Sequence, residues 1–150
     1  MRLLKMKKEI ENILNELTES KELENFGIDK ASLEKMITYG KKLFPFPKDE
    51  KKERNLVTKC MSTVYLIGNK KEGKMNYLAT SDSAFVKSEL YFILTFFNEL
   101  APEEILSENV KKEYNQFFSE LQKLVPMSMN RQQGFEGAYE RIIEIAKDNL

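Results

Sequence analysis

The residue with the sharpest chemical options in this chain is Cys60, its one cysteine. A thiolate can attack a sulfane sulfur or a peroxide, and nearby positive charge raises the thiolate fraction at neutral pH. Lys59 precedes it directly, and Arg131 lies far downstream, at the start of what reads as the last helix. There a guanidinium adds to the positive field of the exposed helix N–H groups, a setting suited to a thiolate, a persulfide or a partner carboxylate. The blander alternatives are a cysteine that fills the core as a small hydrophobe and an arginine that reaches into solvent. No histidine occurs, which removes Ser-His and Cys-His dyads, HExxH zinc sites and imidazole proton shuttles. One cysteine can form neither an internal disulfide nor a CxxC metal or redox pair.

Those residues need a scaffold. A chain of 150 residues is long enough to bury a real core, and one domain spanning 1–150 is the expectation. Lys plus Arg and Asp plus Glu are equal at 24 each, and no basic run is interleaved with aromatics, which disfavours nucleic acid and anionic membranes as partners. The start, Met1-Arg2-Leu3-Leu4-Lys5, turns polar too early for a secretory signal, and the strongest apolar run, Leu90 to Phe97, is far short of the roughly 20 residues a membrane helix needs. With the lone thiol, this points to a reducing, cytoplasmic setting.

Along the chain, Ile10, Ile13, Leu14 and Leu17 keep helical spacing up to a stop at Gly27. A second helix is predicted after Asp29 as its cap, with Leu33, Met36 and Ile37 inward, and Pro45 and Pro47 break the period. Lys48 to Asn55 is almost wholly charged and reads as a solvated loop. From Cys60 the period becomes two: Met61, Thr63, Tyr65 and Ile67 on one side of a strand, Cys60, Ser62, Val64 and Leu66 on the other. Gly68 to Gly73 reads as the turn of a hairpin and Lys74 to Ala79 as its return. Ser81, Asp82 and Ser83 can cap a strongly apolar helix from Ser83 to Leu100, whose phenylalanines read as core. A short helix after Pro102, another over Val110 to Leu124, and a last one capped by Asn130 complete the order. Gly134 and Gly137 in the last helix suggest that a neighbouring segment packs close against its start. Helices, a hairpin and more helices make an α+β chain, with a small antiparallel sheet packed against several helices.

Four segments in this order are familiar. Asn55-Leu56-Val57-Thr58-Lys59-Cys60-Met61-Ser62-Thr63-Val64-Tyr65 resembles the cysteine segment of the SufE family, N-x-V-x-G-C-x-S-x-V-W. Ser81-Asp82-Ser83-Ala84-Phe85-Val86 is similar to its S-D-A-x-I-V segment, Pro102 to Ile105 to its P-x-x-I turn, and Asn130-Arg131-Gln132-Gln133-Gly134 to its S-R-x-x-G segment. The specific resemblance covers 55–150, while 1–54 matches only loosely.

The resemblance implies a fold shared with NifU/IscU-type scaffolds and a Cys60 on an exposed loop. There it would take sulfane sulfur from a pyridoxal-phosphate cysteine desulfurase of SufS or CsdA type and pass it to a SufBCD-type assembly scaffold. It implies Arg131 near that loop as a stabiliser of persulfide or partner, and Asp82, with Lys59 and Ser62, at the partner contact. The protein itself would carry no cofactor and bind no metal; the pyridoxal phosphate belongs to the desulfurase. The family glycine is Lys59 here, the tryptophan Tyr65, and a helix glycine Ser88. A SufE or CsdE branch and a homodimer are both left open. So are two other classes: an adaptor domain with an inert cysteine, and a single-cysteine redox sensor or thiol peroxidase.

Overall fold

The computed structural model describes residues 2–59, 62–125 and 129–150, with side chains from residue 8 onward and, in the last segment, from 132 onward. Helices α1 (Arg2–Asn25) and α2 (Ala31–Gly40) lead through two 3-10 turns to strands β1 (Val64–Lys71) and β2 (Lys74–Ser81). Helices α3 (Ala84–Phe97), α4 (Pro102–Ile105), α5 (Glu108–Leu124) and α6 (Met129–Asp148) follow, so the predicted α+β order holds. No described helix is long and apolar enough to cross a membrane.

The two strands pair antiparallel from Val64 opposite Ser81 to Lys71 opposite Lys74. Their turn is only Glu72-Gly73, with φ of 55° and 80°, the left-handed pair of a tight hairpin, which glycine adopts without strain. The hairpin is therefore longer than the sequence suggests. Gly68 is not a turn residue but sits within β1 opposite Tyr77, where a Cβ would lie 2.6 Å from the tyrosine ring and 3.1 Å from Ile145. Its glycine makes room for a packed ring. The outer edge of β2 is closed by the chain leaving α3. Tyr77 N–H donates to Asn98 Oδ1 at 2.6 Å, Met75 N–H to the Leu100 carbonyl at 2.8 Å, and Glu99 N–H to the Met75 carbonyl at 2.9 Å. A bare strand edge is thereby satisfied without a third long strand.

One face of the sheet, built from Val64, Leu66, Met75, Tyr77 and Ala79, is buried with the helices, as the period of two requires. The apolar run of α3 buries Leu90, Phe92, Ile93, Phe96 and Phe97, and Tyr114 stacks on Tyr139 with centroids 4.9 Å apart, tying α5 to α6. These aromatics are core, as their spacing predicts. Burial of such side chains is worth about 1.5–3 kcal/mol each, which outweighs any single cap.

That ordering explains where helix ends differ from expectation. Asp29 does not cap α2; the residue before the helix is Lys30 with φ 59°, and Glu24 at the end of α1 accepts the Ser32 N–H at 2.7 Å. The helix α6 already includes Met129, so Asn130 lies inside its first turn instead of capping it. The face of Phe135, Ala138 and Ile142 sets which way α6 packs, and a terminal cap is too weak to move it. By contrast, Ser83 does cap α3, accepting Val86 N–H at 3.3 Å. Glu89 on the same helix is buried, a carboxylate in a face that reads as apolar.

Candidate functional site

The chain approaches Cys60 through a segment held at several points. Lys48–Glu50 and Glu53–Asn55 form the two 3-10 turns. Asn55 is buried between them, its Nδ2 donating to the Glu50 carbonyl at 2.7 Å and to Glu50 Oε2 at 3.0 Å. Apart from half-buried Glu50, the charged residues around it stay exposed, as a solvated loop should, but the one amide in the run folds them into fixed turns.

Two contacts then close the base of residues 58–63, the segment that contains Cys60. Leu56 bridges to Tyr65, and Val57 N–H donates to the Val64 carbonyl at 2.9 Å, both valines being buried. Thr58 and Lys59 form a turn and Ser62 a bend, while Cys60 and Met61 lie outside the described residues. The strand begins at Val64, four residues after the point where the period-two pattern starts, so Ser62 is not a strand residue. Val64 pairs with Ser81, and beyond Ser81 the chain turns into the α3 cap, which leaves Ser62 and Thr63 outside the ladder.

The same register brings Asp82 to the end of the sheet where 58–63 begins and ends. It is exposed, with Ser81 Oγ donating to its Oδ1 at 3.4 Å and accepting the Ser83 N–H at 3.2 Å. Ser62 is half-buried beside that end. Lys59 turns away toward α6: its Nζ donates to Glu140 Oε1 at 2.9 Å. The hydrogen bond and charge of Glu140 hold its ammonium above the usual lysine value. The next α6 residue, Arg141, donates from Nη2 to the Arg54 carbonyl at 3.0 Å. Consecutive residues of one helix thus hold both ends of the stretch 54–59.

Arg131 has its backbone in the first turn of α6, and its side chain lies outside the described residues. Nine residues at 1.5 Å each put it roughly 13 Å along the helix from Glu140. Gly137, between them, is buried against the core, and Gly134 is half-buried. The sequence reading passes over Glu140 and Arg141. The available signal is weak: Glu136, Glu140 and Glu144 recur every four residues on the solvent face, a pattern that ordinary exposed helices share. Among the described residues, no group of three or more acidic, cysteine or histidine side chains is placed to hold a metal ion.

Residues 18–146 match the SufE family, described as an Fe-S metabolism associated domain. Over 77 residues the chain is 35% identical to an uncharacterized SufE-like protein of Synechocystis sp. strain PCC 6803. That alignment takes in 51% of this chain, which spans about half the length of the relative, 48%. The solution structure of a hypothetical protein from Thermus thermophilus is similar with a TM-score of 0.58, covering 89% of this chain and 94% of that one. At 17% identity the likeness is one of fold. The family match runs from the second half of α1 almost to the end of α6, and the chain belongs to the SufE family, associated with iron–sulfur metabolism.

Proposed function

We propose that this protein is a sulfur carrier that receives sulfane sulfur on Cys60 from a pyridoxal-phosphate cysteine desulfurase of SufS or CsdA type. The Cys60 thiolate attacks the terminal sulfur of the desulfurase cysteine persulfide. A new S–S bond forms at Cys60 as the donor's S–S bond breaks, and the desulfurase cysteine leaves as a thiolate. The sulfur changes hands without net oxidation or reduction, so the carrier needs no cofactor of its own. The persulfide then serves a SufBCD-type scaffold, and a reducing cytoplasm suits a carrier that works through one free thiol.

The observation that carries this reading is that the chain's one cysteine falls in the segment whose base Val57 and Val64 close, inside the family match. A pinned base lets a thiol be presented without ordering a long loop at each encounter. In this scheme Arg131 stabilises the persulfide anion or the partner, and Asp82, Lys59 and Ser62 form the partner contact. The test is alanine production by a SufS-type desulfurase with L-cysteine. The wild-type chain is expected to stimulate it and Cys60→Ser is not. Equal stimulation by both would make the protein an adaptor with an inert cysteine. Turnover of peroxide, with no effect on the desulfurase, would make it a redox protein.

A further inference from the structure

The N–H and C=O groups of successive residues in an antiparallel strand point to opposite edges, so residues two apart share an edge. On β2, Met75 and Tyr77 point away from β1 and are met by Glu99, Leu100 and the Asn98 carboxamide. The next residue with that orientation is Ala79, and the closure stops short of it. Among the described residues nothing bonds its N–H or its carbonyl. Ala79 is nevertheless only 1% exposed. Buried backbone groups are almost always paired, so an orphaned donor and acceptor point to a partner that this chain does not supply.

Ala79 lies on a cleft of about 560 Å³ between β2, α3, the start of α1 and the chain after α2. The cleft is walled by Leu94, by half-buried Leu43 and by Phe44, which stands 76% exposed. Lys8 and Lys42 also line it, Lys42 with its Nζ 5.1 and 6.0 Å from the ring centroids of Tyr39 and Tyr91. Among the described residues neither lysine forms an ion pair. Of the two acids on the cleft, Glu9 acts on the Tyr91 phenol and Glu99 is already engaged. The cleft thus offers a backbone donor and acceptor, apolar walls and two ammoniums without a counter-charge. Asn98 shows what fits the edge: its carboxamide stands in for a peptide unit at Tyr77, accepting at 2.6 Å and donating at 3.3 Å.

We propose that this cleft receives an extended acidic segment of a partner protein, which adds a rung to β2 at Ala79 and sets its carboxylates on Lys8 and Lys42. In strand addition of this kind main-chain bonds supply the affinity and alternate side chains the selectivity. An apolar side chain between the anionic ones covers Leu43, Leu94 and Phe44. The cleft does not involve Cys60, and its occupancy is independent of the acceptor reading.

The probe is a short capped peptide of alternating valine and glutamate, titrated into the isotope-labelled full-length chain and followed by the amide resonances. The Ala79 amide is expected to move with a Kd of about 0.1–1 mM, as a few main-chain bonds and exposed ion pairs allow. The amide of Leu78, which faces β1, moves less. Lys8→Glu combined with Lys42→Glu, both at exposed positions, is expected to weaken binding about tenfold. A peptide N-methylated at its central unit, which removes the donor, loses most of the binding. No movement of Ala79 up to about 10 mM peptide would leave water as the partner of that rung and overturn the proposal. Equal binding of the N-methylated peptide, or of one that alternates valine and lysine, would overturn it as well. Movement of Ala79 with protein concentration alone would put a second copy of the chain in the cleft and refute the acidic partner.

Discussion

Replacing Gly68 by alanine probes the packing that holds the hairpin to α6. A Cβ at this position would lie 2.6 and 2.8 Å from two ring atoms of Tyr77 and 3.1 Å from Ile145 Cγ2. Optimal carbon contacts are about 3.5–4.0 Å, so the ring must move by about 1 Å. Tyr77 is 1% exposed, and its hydroxyl donates to the Ile142 carbonyl at 2.9 Å. Overpacking of this kind costs about 1–3 kcal/mol, and losing the phenol's hydrogen bond adds about 1 kcal/mol. Relief of the glycine's entropy returns about 0.5–1 kcal/mol, leaving a net loss of about 2 kcal/mol. At this chain length that corresponds to roughly 4–8 °C in Tm. Urea unfolding followed by far-UV circular dichroism reads the change, and the same substitution in a Tyr77→Leu background is expected to cost less than about 1 kcal/mol. A loss below about 0.5 kcal/mol in the wild-type background would refute the close approach.

Asn98→Ala removes the carboxamide that accepts Tyr77 N–H at 2.6 Å and donates to its carbonyl at 3.3 Å. The expected cost is about 1–3 kcal/mol, with faster amide exchange at Tyr77; unchanged protection there would contradict the capped edge. Ser32, whose backbone N–H donates to Glu24 Oε2 at 2.7 Å, holds the Glu24 carboxyl below its ordinary value of 4.5. A lowered carboxylate contributes its full stability above that value and loses it as pH falls through the folded one. The urea midpoint of the wild type is therefore expected to fall more steeply than that of Glu24→Gln below pH 4.5, and parallel curves would contradict the assignment.

Much of the scaffold is legible in the sequence, because burial imposes its period on the residues that meet the core. Ile13 and Leu17 on α1, Phe92, Ile93 and Phe97 on α3, and Phe135 and Ile142 on α6 are found where their spacing puts them. What is not legible depends on partners distant in the chain. Gly68 reads as a turn because glycine marks both turns and close contacts, and only Tyr77 decides between them. Asp29 looks like a cap until Glu24 takes that work from the preceding helix. At the site, residue type singles out Cys60, a place at the start of the last helix singles out Arg131, and the register of β1 on β2 supplies the place of Asp82. The Glu140 contact joins two exposed charges of ordinary kinds, and such pairs leave no local pattern to read.

The most direct test of the acceptor role is the intact mass of the chain after incubation with an active SufS-type desulfurase and L-cysteine. The expected result is a gain of one sulfur atom, absent from Cys60→Ser and removed by reductant. No gain, with a desulfurase from the same source shown to be active, would contradict sulfur transfer to Cys60.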